Sequence, residues 1–275
     1  MITLPEAFEQ EMKQLLGEEE YEAYRKTFDE AVHRGLRVNN GKISTEEFLR
    51  RTDIPLKKVP WIPNGFYYDE ESCNPAKDAD YYAGLYYLQE PSAMTPASRL
   101  PIEPDDRVLD LCAAPGGKAT ELGSRIGEGG MLLANDISNS RAKALLRNLE
   151  IQGVGRLLVT SEDPEKLITL YPAFFDKILL DAPCSGEGMF RKESSMLRYY
   201  SENGPEHYVP IQKKLIEQAY QMLAEGGELL YSTCTFSVKE NEEVIAGLLD
   251  AHPDMEVQEI APGYEGFAPG VSLNG

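Results

Sequence analysis

The segment VLDLCAAPGGK, Val108–Lys118, decides the predicted fold, because an apolar strand there runs directly into a glycine turn and the start of a helix. Gly116 and Gly117 permit the tight turn and let backbone amides approach a bound ligand. A strand, a glycine turn and a helix in this order are typical of a nucleotide-type cofactor loop.

Apolar strands alternate with helical segments from residue 83 onwards. We predict strands at 107–111, 131–135, 156–160, 176–180 and 228–231. We predict helices at 117–126, 138–152, 164–170, 207–224 and 239–250. This alternation is typical of an α/β fold with a doubly wound, Rossmann-like parallel sheet, which binds ligands outside the carboxyl ends of its strands. Asp110, Asp136, Asp181 and the region of Cys234 are therefore expected on one rim of the sheet.

The sequence before this sheet predicts a small α+β domain. Apolar side chains at helical spacing favour a helix within 1–30, and 35–39 has the pattern of a short strand. A helix with a capping-type opening starts at Ser44, and the proline- and aromatic-rich stretch 53–80 is expected to be irregular or a hairpin. We divide the chain into an N-terminal domain, a second domain and a tail, over 1–82, 83–262 and 263–275.

Length and composition indicate an ordinary globular protein. The 275 residues suffice for one large or two modest domains, and 42% of them are hydrophobic. No stretch of about 18 apolar residues predicts a membrane span, and the start of the chain does not have the pattern of a secretory signal. The four cysteines show neither close pairs nor zinc-ligand spacing, so we predict a cytoplasmic protein without a bound metal.

Two cysteines each follow a short apolar strand. Cys184 lies in DAPCSG, Asp181–Gly186, and Cys234 lies in STCT, Ser232–Thr235. Buried cysteines are usually small core residues, and Cys112 in its apolar surroundings fits that role. The position of the other two at strand ends favours reactive thiols instead.

A cofactor loop together with two strand-end thiols suggests covalent catalysis on a base. Methylation of cytosine at carbon 5 needs a thiolate that adds to carbon 6, because carbon 5 alone is too weak a nucleophile to attack a methyl sulfonium. It also needs a carboxyl group at ring nitrogen 3 and a base that removes the carbon 5 proton. Cys184, Cys234 and Asp181 supply such groups, but the residues alone leave open which thiol attacks.

The cofactor loop has two charged neighbours. Asp136 ends the second predicted strand at a distance from Gly116 that suits a carboxylate holding ribose hydroxyls; alternatively, it only caps the helix that opens near Ser138. Lys118 opposes the helix dipole, which indicates a functional position, with an exposed lysine as the alternative. The loop fits a dinucleotide or S-adenosylmethionine equally, but it lacks the G-x-G-x-x-G fingerprint of the former.

Three motifs in this order resemble the Sun-type RNA cytosine-5 methyltransferases. They are LCAAPGGK at Leu111–Lys118, DAPCSGEG at Asp181–Gly188 and STCT at Ser232–Thr235. The resemblance runs from about Arg37 to Val244. PWIPNGFY at Pro60–Tyr67 and QEPSAM at Gln89–Met94 are similar to the bacterial RsmF branch, which methylates small-subunit ribosomal RNA.

The resemblance implies a role for each motif. Cys234 is implied to be the nucleophile and Cys184 to assist product release, with Asp181 and Lys118 beside them in the catalytic set. S-adenosylmethionine is the implied cofactor, and its implied contacts are Cys112, Ala113, Ala114, Pro115, Gly116, Gly117, Lys118, Asp136, Arg141, Asp163 and Asp181. Asp163 alternatively caps the next helix, and Arg141 alternatively lies on a solvated helix face.

The resemblance further implies an RNA substrate, 16S rRNA or the small ribosomal subunit, with no DNA partner and an N-terminal domain of RNA-binding type. A net charge of −19 disfavours non-specific nucleic-acid binding, so RNA would need a local basic lining. Phosphate contacts are predicted at Arg34, Arg37, Arg191 and Lys192, and base stacking at Tyr199, Tyr200 and Tyr208. The branch continues into C-terminal RNA-binding modules, which we expect this chain to lack.

Our main hypothesis is thus an S-adenosylmethionine-dependent RNA cytosine-5 methyltransferase. One alternative is a non-catalytic RNA-binding or ribosome-assembly factor that retains a cofactor pocket. Another is an NAD-dependent oxidoreductase on a similar sheet. The missing dinucleotide fingerprint argues against the oxidoreductase, and the two thiols argue against the binding factor.

Overall fold

The computed structural model describes residues 2–193, 195–260 and 264–273, which contain two β-sheets with flanking helices. Within these ranges, no helix combines the length and apolar character that crossing a bilayer requires.

The N-terminal sheet has four antiparallel strands in the order β2-β3-β1-β4. The elements of this part are α1 (Glu6–Lys26), β1 (Arg34–Val38), α2 (Thr45–Arg51), β2 (Leu56–Lys58), β3 (Gly65–Tyr68), α3 (Ala79–Tyr82) and β4 (Tyr86–Leu88). Ser44 caps α2 as predicted, since its hydroxyl accepts a hydrogen bond from the Glu47 amide. Strand β4 lies beyond residue 82, the predicted end of the N-terminal domain. It nevertheless belongs to the N-terminal sheet, because Leu36 and Val38 of β1 pair with it.

The predicted N-terminal helix forms, but it is interrupted at Gly17 and packs away from the N-terminal sheet. Its Phe8 ring is fully buried and lies 5.0 Å from the ring of Phe190, with Tyr200 close by. Phe190 and Tyr200 both follow the motif DAPCSG, which contains Cys184, in the sequence. The first helix therefore supports the second domain beside its thiols.

The second sheet has five parallel strands in the order β7-β6-β5-β8-β9, as the strand–helix alternation predicts. Its elements are α4 (Thr95–Arg99), β5 (Arg107–Asp110), α5 (Gly117–Arg125), β6 (Met131–Asn135), α6 (Asn139–Gln152), β7 (Leu157–Thr160), α7 (Pro164–Leu170), β8 (Phe175–Asp181), α8 (Ser195–Glu202), α9 (Pro205–Met222), β9 (Leu223–Ser232) and α10 (Glu242–Ala251). Helices α4 to α6 cover one face, and α7, α9 and α10 cover the other.

Strand β9 begins earlier than predicted. The prediction started it at Glu228, after Gly226 and Gly227. In the structure Leu223 already pairs with Phe175, and a register shift before Lys177 absorbs the glycines as an irregularity within the strand.

The strand order reverses between β5 and β8, which are neighbours in the sheet but not in sequence. In doubly wound sheets this reversal opens a crevice at the carboxyl ends of the strands, where ligands bind. Asp110 ends β5 and Asp181 ends β8, so both carboxylates stand at the crevice.

Candidate active site

A cavity of about 230 Å³ lies at this crevice. The glycine loop forms one side of it, through residues between Cys112 and Lys118, and Asp110 and Asp181 lie at its base. The opposite wall comes from the N-terminal sheet, through Tyr87, Leu88 and Gln89. Sequence patterns did not indicate this wall, because its contact with the loop is long-range.

The glycine loop turns at Gly116, whose φ of 112° is a left-handed value that favours glycine. Gly117 then begins α5, so the first amides of this helix face the cavity side of the loop. The predicted cofactor loop is therefore present at the predicted place, as a strand, a turn and a helix start.

Asp110 is fully buried, and neither of its carboxyl oxygens has a hydrogen-bond partner among the described residues. Burial raises its pKa to about 8, and the charge of Asp181 adds to this, while the charge of Lys118 offsets it only in part. A buried, unpaired carboxyl group that lines a cavity suits a ligand carrying a positive charge. Sequence reasoning placed Asp110 on the rim but assigned it no role.

Asp136 lies buried at the end of β6, beside the loop. Its Oδ1 accepts a hydrogen bond of 2.9 Å from the Ser138 amide, so the helix-capping alternative is present in the structure. Its Oδ2 lies 3.3 Å from the guanidinium of Arg141, which also donates to the carbonyl of Ala114 at 2.9 Å. Arg141 thus connects the carboxylate to the glycine loop.

Asp163 caps the next helix, which is the alternative role that the sequence analysis considered for it. Its carboxylate is exposed and accepts a hydrogen bond of 2.9 Å from the Glu165 amide at the start of α7. A contact between Asp163 and a cofactor stays a prediction.

Lys118 points into the site, contrary to the alternative of a solvated side chain. Its Nζ lies 2.7 Å from Oδ2 of Asp181, and the hydroxyl of Ser232 donates to Oδ1 of the same carboxylate at 2.8 Å. The cation at the helix start thereby meets the carboxylate at the end of β8. Its unfavourable position on the helix dipole is offset by this ion pair.

The two predicted strand-end thiols meet. The Sγ atoms of Cys184 and Cys234 lie 3.1 Å apart, and the Cys234 amide donates to Sγ of Cys184 at 3.3 Å. The neighbouring strands explain this proximity, because Asp181 at the end of β8 pairs with Ser232 at the end of β9. Cys184 is buried, whereas Cys234 is exposed.

The two thiols differ in acidity. The hydrogen bond with Cys184 lowers the pKa of Cys234, and the charge of Lys118 also lowers it, against burial and Asp181. The same hydrogen bond, together with burial, raises the pKa of Cys184. Cys234 therefore carries the thiolate more readily than Cys184 does.

Cys112 lines the cavity but is not a reactive thiol. Burial raises its pKa, and the carboxylates of Asp110 and Asp136 raise it further. Its side chain also packs against the core on one face of the sheet. Cys112 is therefore both a core residue and a part of the cavity wall.

Some of the predicted RNA contacts are wrong. Arg37 is 2% exposed, and its guanidinium pairs with Glu121 instead of facing solvent. Tyr200 and Tyr208 are buried as well, because they pack on core side chains, so they offer no free ring for stacking. The sequence shows only that a residue is basic or aromatic, and its burial depends on the long-range contacts of the fold.

The remaining candidates for RNA contact already have partners within the protein. Arg34 pairs with Glu70 at 2.7 Å, and Lys192 pairs with Glu90 at 3.1 Å. Arg191 donates to the carbonyl of Ala31 at 2.8 Å. Their contact with RNA stays a prediction.

The fold is that of a Rossmann-like, S-adenosylmethionine-dependent methyltransferase. Residues 97–272 match the family described as "16S rRNA methyltransferase RsmB/F". Residues 4–91 match the "N-terminal domain of 16S rRNA methyltransferase RsmF". The chain therefore belongs to the RsmB/F family of 16S rRNA methyltransferases, which confirms the RsmF resemblance and leaves no support for the oxidoreductase.

Individual relatives agree with this assignment. The chain is 38% identical over 262 residues to ribosomal RNA small subunit methyltransferase F of Erwinia tasmaniensis, with 92% of this chain and 55% of the relative covered. The namesake from Citrobacter koseri is 35% identical over 277 residues, with 96% and 58% covered. The chain thus spans little more than half the length of these curated relatives.

A solved structure shows the same fold. The methyltransferase homologue from Pyrococcus horikoshii is 31% identical and superposes with a TM-score of 0.77, with 90% of this chain and 78% of that chain covered. The family and this fold together indicate S-adenosylmethionine as the cofactor of the cavity.

Proposed function

We propose that the chain methylates carbon 5 of cytosine in RNA, with 16S rRNA or the small ribosomal subunit as substrate, through a transient bond between a cysteine and carbon 6. The observation that carries this proposal is the pair of thiols 3.1 Å apart beside the Lys118–Asp181 ion pair and the cavity. A methyltransferase that acts on an oxygen or an amine has no need for two such thiols.

The charge of the cavity and the conformation of its glycine loop support S-adenosylmethionine as the ligand. The amides at the start of α5 and the turn at Gly116 suit close approach of its methionine part, and the unpaired Asp110 suits its positive charge. The further contacts taken from the resemblance, at Asp136, Arg141 and Asp163, belong to the proposal. S-adenosylmethionine, when bound, supplies an electrophilic methyl group.

Cys234 is proposed as the nucleophile. It is exposed, and its thiol has the lowered pKa of the pair, so its sulfur can donate an electron pair to carbon 6 of the base. That bond shifts electron density to carbon 5, which can then take up a methyl group. The Lys118–Asp181 pair holds a proton beside the base and stabilises the charge that develops at ring nitrogen 3.

Cys184 is proposed to act in product release. After methylation, carbon 5 must lose its proton to a base, and the electrons of the carbon 6–sulfur bond must return to Cys234. Cys184 adjoins the Cys234 sulfur and is buried on the inner side of the pair, which places it beside the adduct. The target cytosine must leave any base stack to reach these thiols, so we infer an unpaired or flipped nucleotide.

The N-terminal domain is proposed to serve both cofactor and RNA. Its strand β4 supplies one wall of the cavity, and Lys57 and Lys58 are exposed on the edge strand β2. The two family matches meet between residues 91 and 97, so we place the domain boundary there instead of at residue 82.

The test is transfer from isotopically labelled S-adenosylmethionine to small-subunit ribosomal RNA, followed by digestion to nucleosides and mass spectrometry. The proposal predicts labelled 5-methylcytidine. Label on another nucleoside or another ring atom would contradict it. Binding of both cofactor and RNA without any transfer would favour the non-catalytic assembly factor.

A further inference from the structure

Two buried glutamates link the segments that carry the thiols. We call 182–190 the first thiol loop and 233–241 the second. Glu187 belongs to the first and is 1% exposed, and Glu240 belongs to the second and is 0% exposed. Each carboxylate accepts a backbone amide of the other loop, which makes the link reciprocal.

Glu240 holds the first thiol loop at the residue after Cys184. Its Oε1 accepts the Ser185 amide at 2.9 Å, and its Oε2 accepts the Ser185 hydroxyl at 2.5 Å. The side-chain amide of Gln212 donates to the same Oε1 and to the carbonyl of Pro183, both at 2.9 Å. The residues on both sides of Cys184 are therefore fixed through one carboxylate.

Glu187 holds the second thiol loop in the same way. Its Oε2 accepts the amide of Phe236 at 2.9 Å. The next residue, Gly188, donates its amide to the carbonyl of Cys234 at 2.9 Å, and a Cβ at Gly188 would also lie 2.9 Å from that oxygen. Only glycine permits this approach, so the first loop lies directly against the backbone of Cys234.

These carboxylates have no cation to balance them. Within the described residues, no lysine, arginine or histidine lies within ion-pair distance of Glu187 or Glu240. Burial raises the pKa of Glu187 to about 7, and an apolar residue of similar length would avoid the cost of burying a carboxyl group without an opposite charge. The geometry that the two glutamates impose on the thiol loops explains their burial better than a gain in folding stability does.

We propose that Glu187 and Glu240 are positioning residues that set the distance between the Cys184 and Cys234 thiols. Each anchors the loop of the opposite thiol, so the two sulfurs keep one relative position while the base enters. The consequence for catalysis rests on the proposed function, whereas the effect on the thiol distance does not.

Thiol proximity can be measured without any methyl transfer. Diamide oxidises two neighbouring thiols to a disulfide and takes up both hydrogens as its hydrazine, and peptide mass spectrometry identifies the Cys184–Cys234 bond. In Glu240→Met and Glu187→Met, a side chain of similar length has no oxygen to accept the backbone amides, so the loops separate. We expect disulfide formation to slow by about tenfold or more, the equivalent of about 1.4 kcal/mol.

A matched control is Glu228→Met, which alters a partly exposed glutamate on β9 that pairs with Lys177. It should leave the oxidation rate and methyl transfer at the wild-type values. Oxidation of Glu240→Met and Glu187→Met at the rate of this control would overturn the proposal. If the methionine variants do not fold, Ser185→Ala decides, because it removes the hydroxyl donor to Glu240, together with the contact of that hydroxyl with Thr235; it should slow oxidation, and an unchanged rate would overturn the role of Glu240.

Enzyme kinetics separate positioning from a general loss of structure. The methionine variants should lose kcat while the KM for RNA and the Kd for S-adenosylmethionine stay close to wild type. An unaltered kcat in a variant with slow oxidation would overturn the catalytic part of the proposal. If the wild type transfers no methyl group while the oxidation rates still differ, the proposed function fails and the control of thiol distance stands.

Discussion

Arg37 and Glu121 form a buried ion pair between the two domains, with Nε 2.8 Å from Oε2. The same guanidinium donates to the carbonyl of Gly117 at 2.7 Å and to the hydroxyl of Thr120 at 2.8 Å. All three partners belong to the first turns of α5, directly after the glycine loop. The N-terminal sheet therefore holds the helix that presents the cofactor loop.

The first prediction concerns this contact. Arg37→Met should destabilise the protein by about 3 kcal/mol or more, because it leaves a buried carboxylate with too few partners. It should also weaken S-adenosylmethionine binding, since the start of α5 loses its support. Urea unfolding and calorimetry measure the two effects.

The matched control lies on the same strand. Arg34 forms an exposed pair with Glu70, so Arg34→Met should change stability by no more than about 0.5 kcal/mol. Equal stability of the two variants would mean that the buried pair does not hold the domains together.

The second prediction concerns the pH dependence of stability through Asp110. Its pKa rises from 3.8 to about 8 on folding, so between these values the folded chain retains a proton that the unfolded chain has lost. Stability contributed by this group is complete below pH 3.8 and is lost as the pH rises through 8. Each pKa unit corresponds to about 1.4 kcal/mol of unfolding free energy, so even part of this shift gives a measurable change in stability.

Asp110→Asn should remove this dependence, so the variant should gain stability relative to wild type as the pH increases from 5 towards 8.5, while it binds S-adenosylmethionine less tightly. Urea unfolding at several pH values measures the difference. Asp105→Asn, at an exposed position, is the control. A constant difference between Asp110→Asn and wild type at all pH values would show that Asp110 has no raised pKa.

The third prediction concerns Lys118. Lys118→Met removes a positive charge that lowers the pKa of Cys234 and leaves Asp181 unpaired beside it. The pKa of Cys234 should rise, which shifts the pH profile of its alkylation by iodoacetamide to higher pH. Lys166→Met, which removes an exposed pair with Glu162, should leave that profile unchanged. An identical profile in both variants would exclude electrostatic activation by Lys118.

The fourth prediction separates two carboxylates that the sequence assigns to the cofactor. Asp136→Ala should weaken S-adenosylmethionine binding by about tenfold, or about 1.4 kcal/mol, because Asp136 orders the strand end and Arg141 beside the loop. Asp163→Ala should have a smaller effect, since its carboxylate is exposed and caps α7. Equal losses in the two variants would instead support the direct contact predicted for Asp163.

The sequence was sufficient to predict the second domain. Apolar strands alternating with helices leave few arrangements other than a parallel sheet, and strand ends in such a sheet must share one rim. That is why Asp181, Cys184 and Cys234 could be predicted to lie together, and why the glycine loop could be placed beside them.

Other parts of the site depend on contacts that sequence patterns do not encode. Tyr87 and Gln89 line the cavity only because β4 joins a sheet that packs on α5. Arg37 was predicted to contact RNA phosphates, but it is buried against Glu121, which contradicts that prediction. The Glu187–Glu240 link was also missed, since each residue meets its hydrogen-bond donors in the other loop only when the ends of β8 and β9 adjoin.

The most direct test of the covalent mechanism is a denaturing gel of the protein with small-subunit ribosomal RNA and S-adenosylmethionine. Cys184→Ala should accumulate a stable protein–RNA adduct, because Cys234 attacks but release fails. Cys234→Ala should form no adduct and transfer no methyl group, and Cys73→Ala, in the N-terminal domain, should behave as wild type. An adduct in Cys234→Ala but none in Cys184→Ala would reverse the thiol roles, and methyl transfer that persists in Cys234→Ala would contradict its role as the nucleophile.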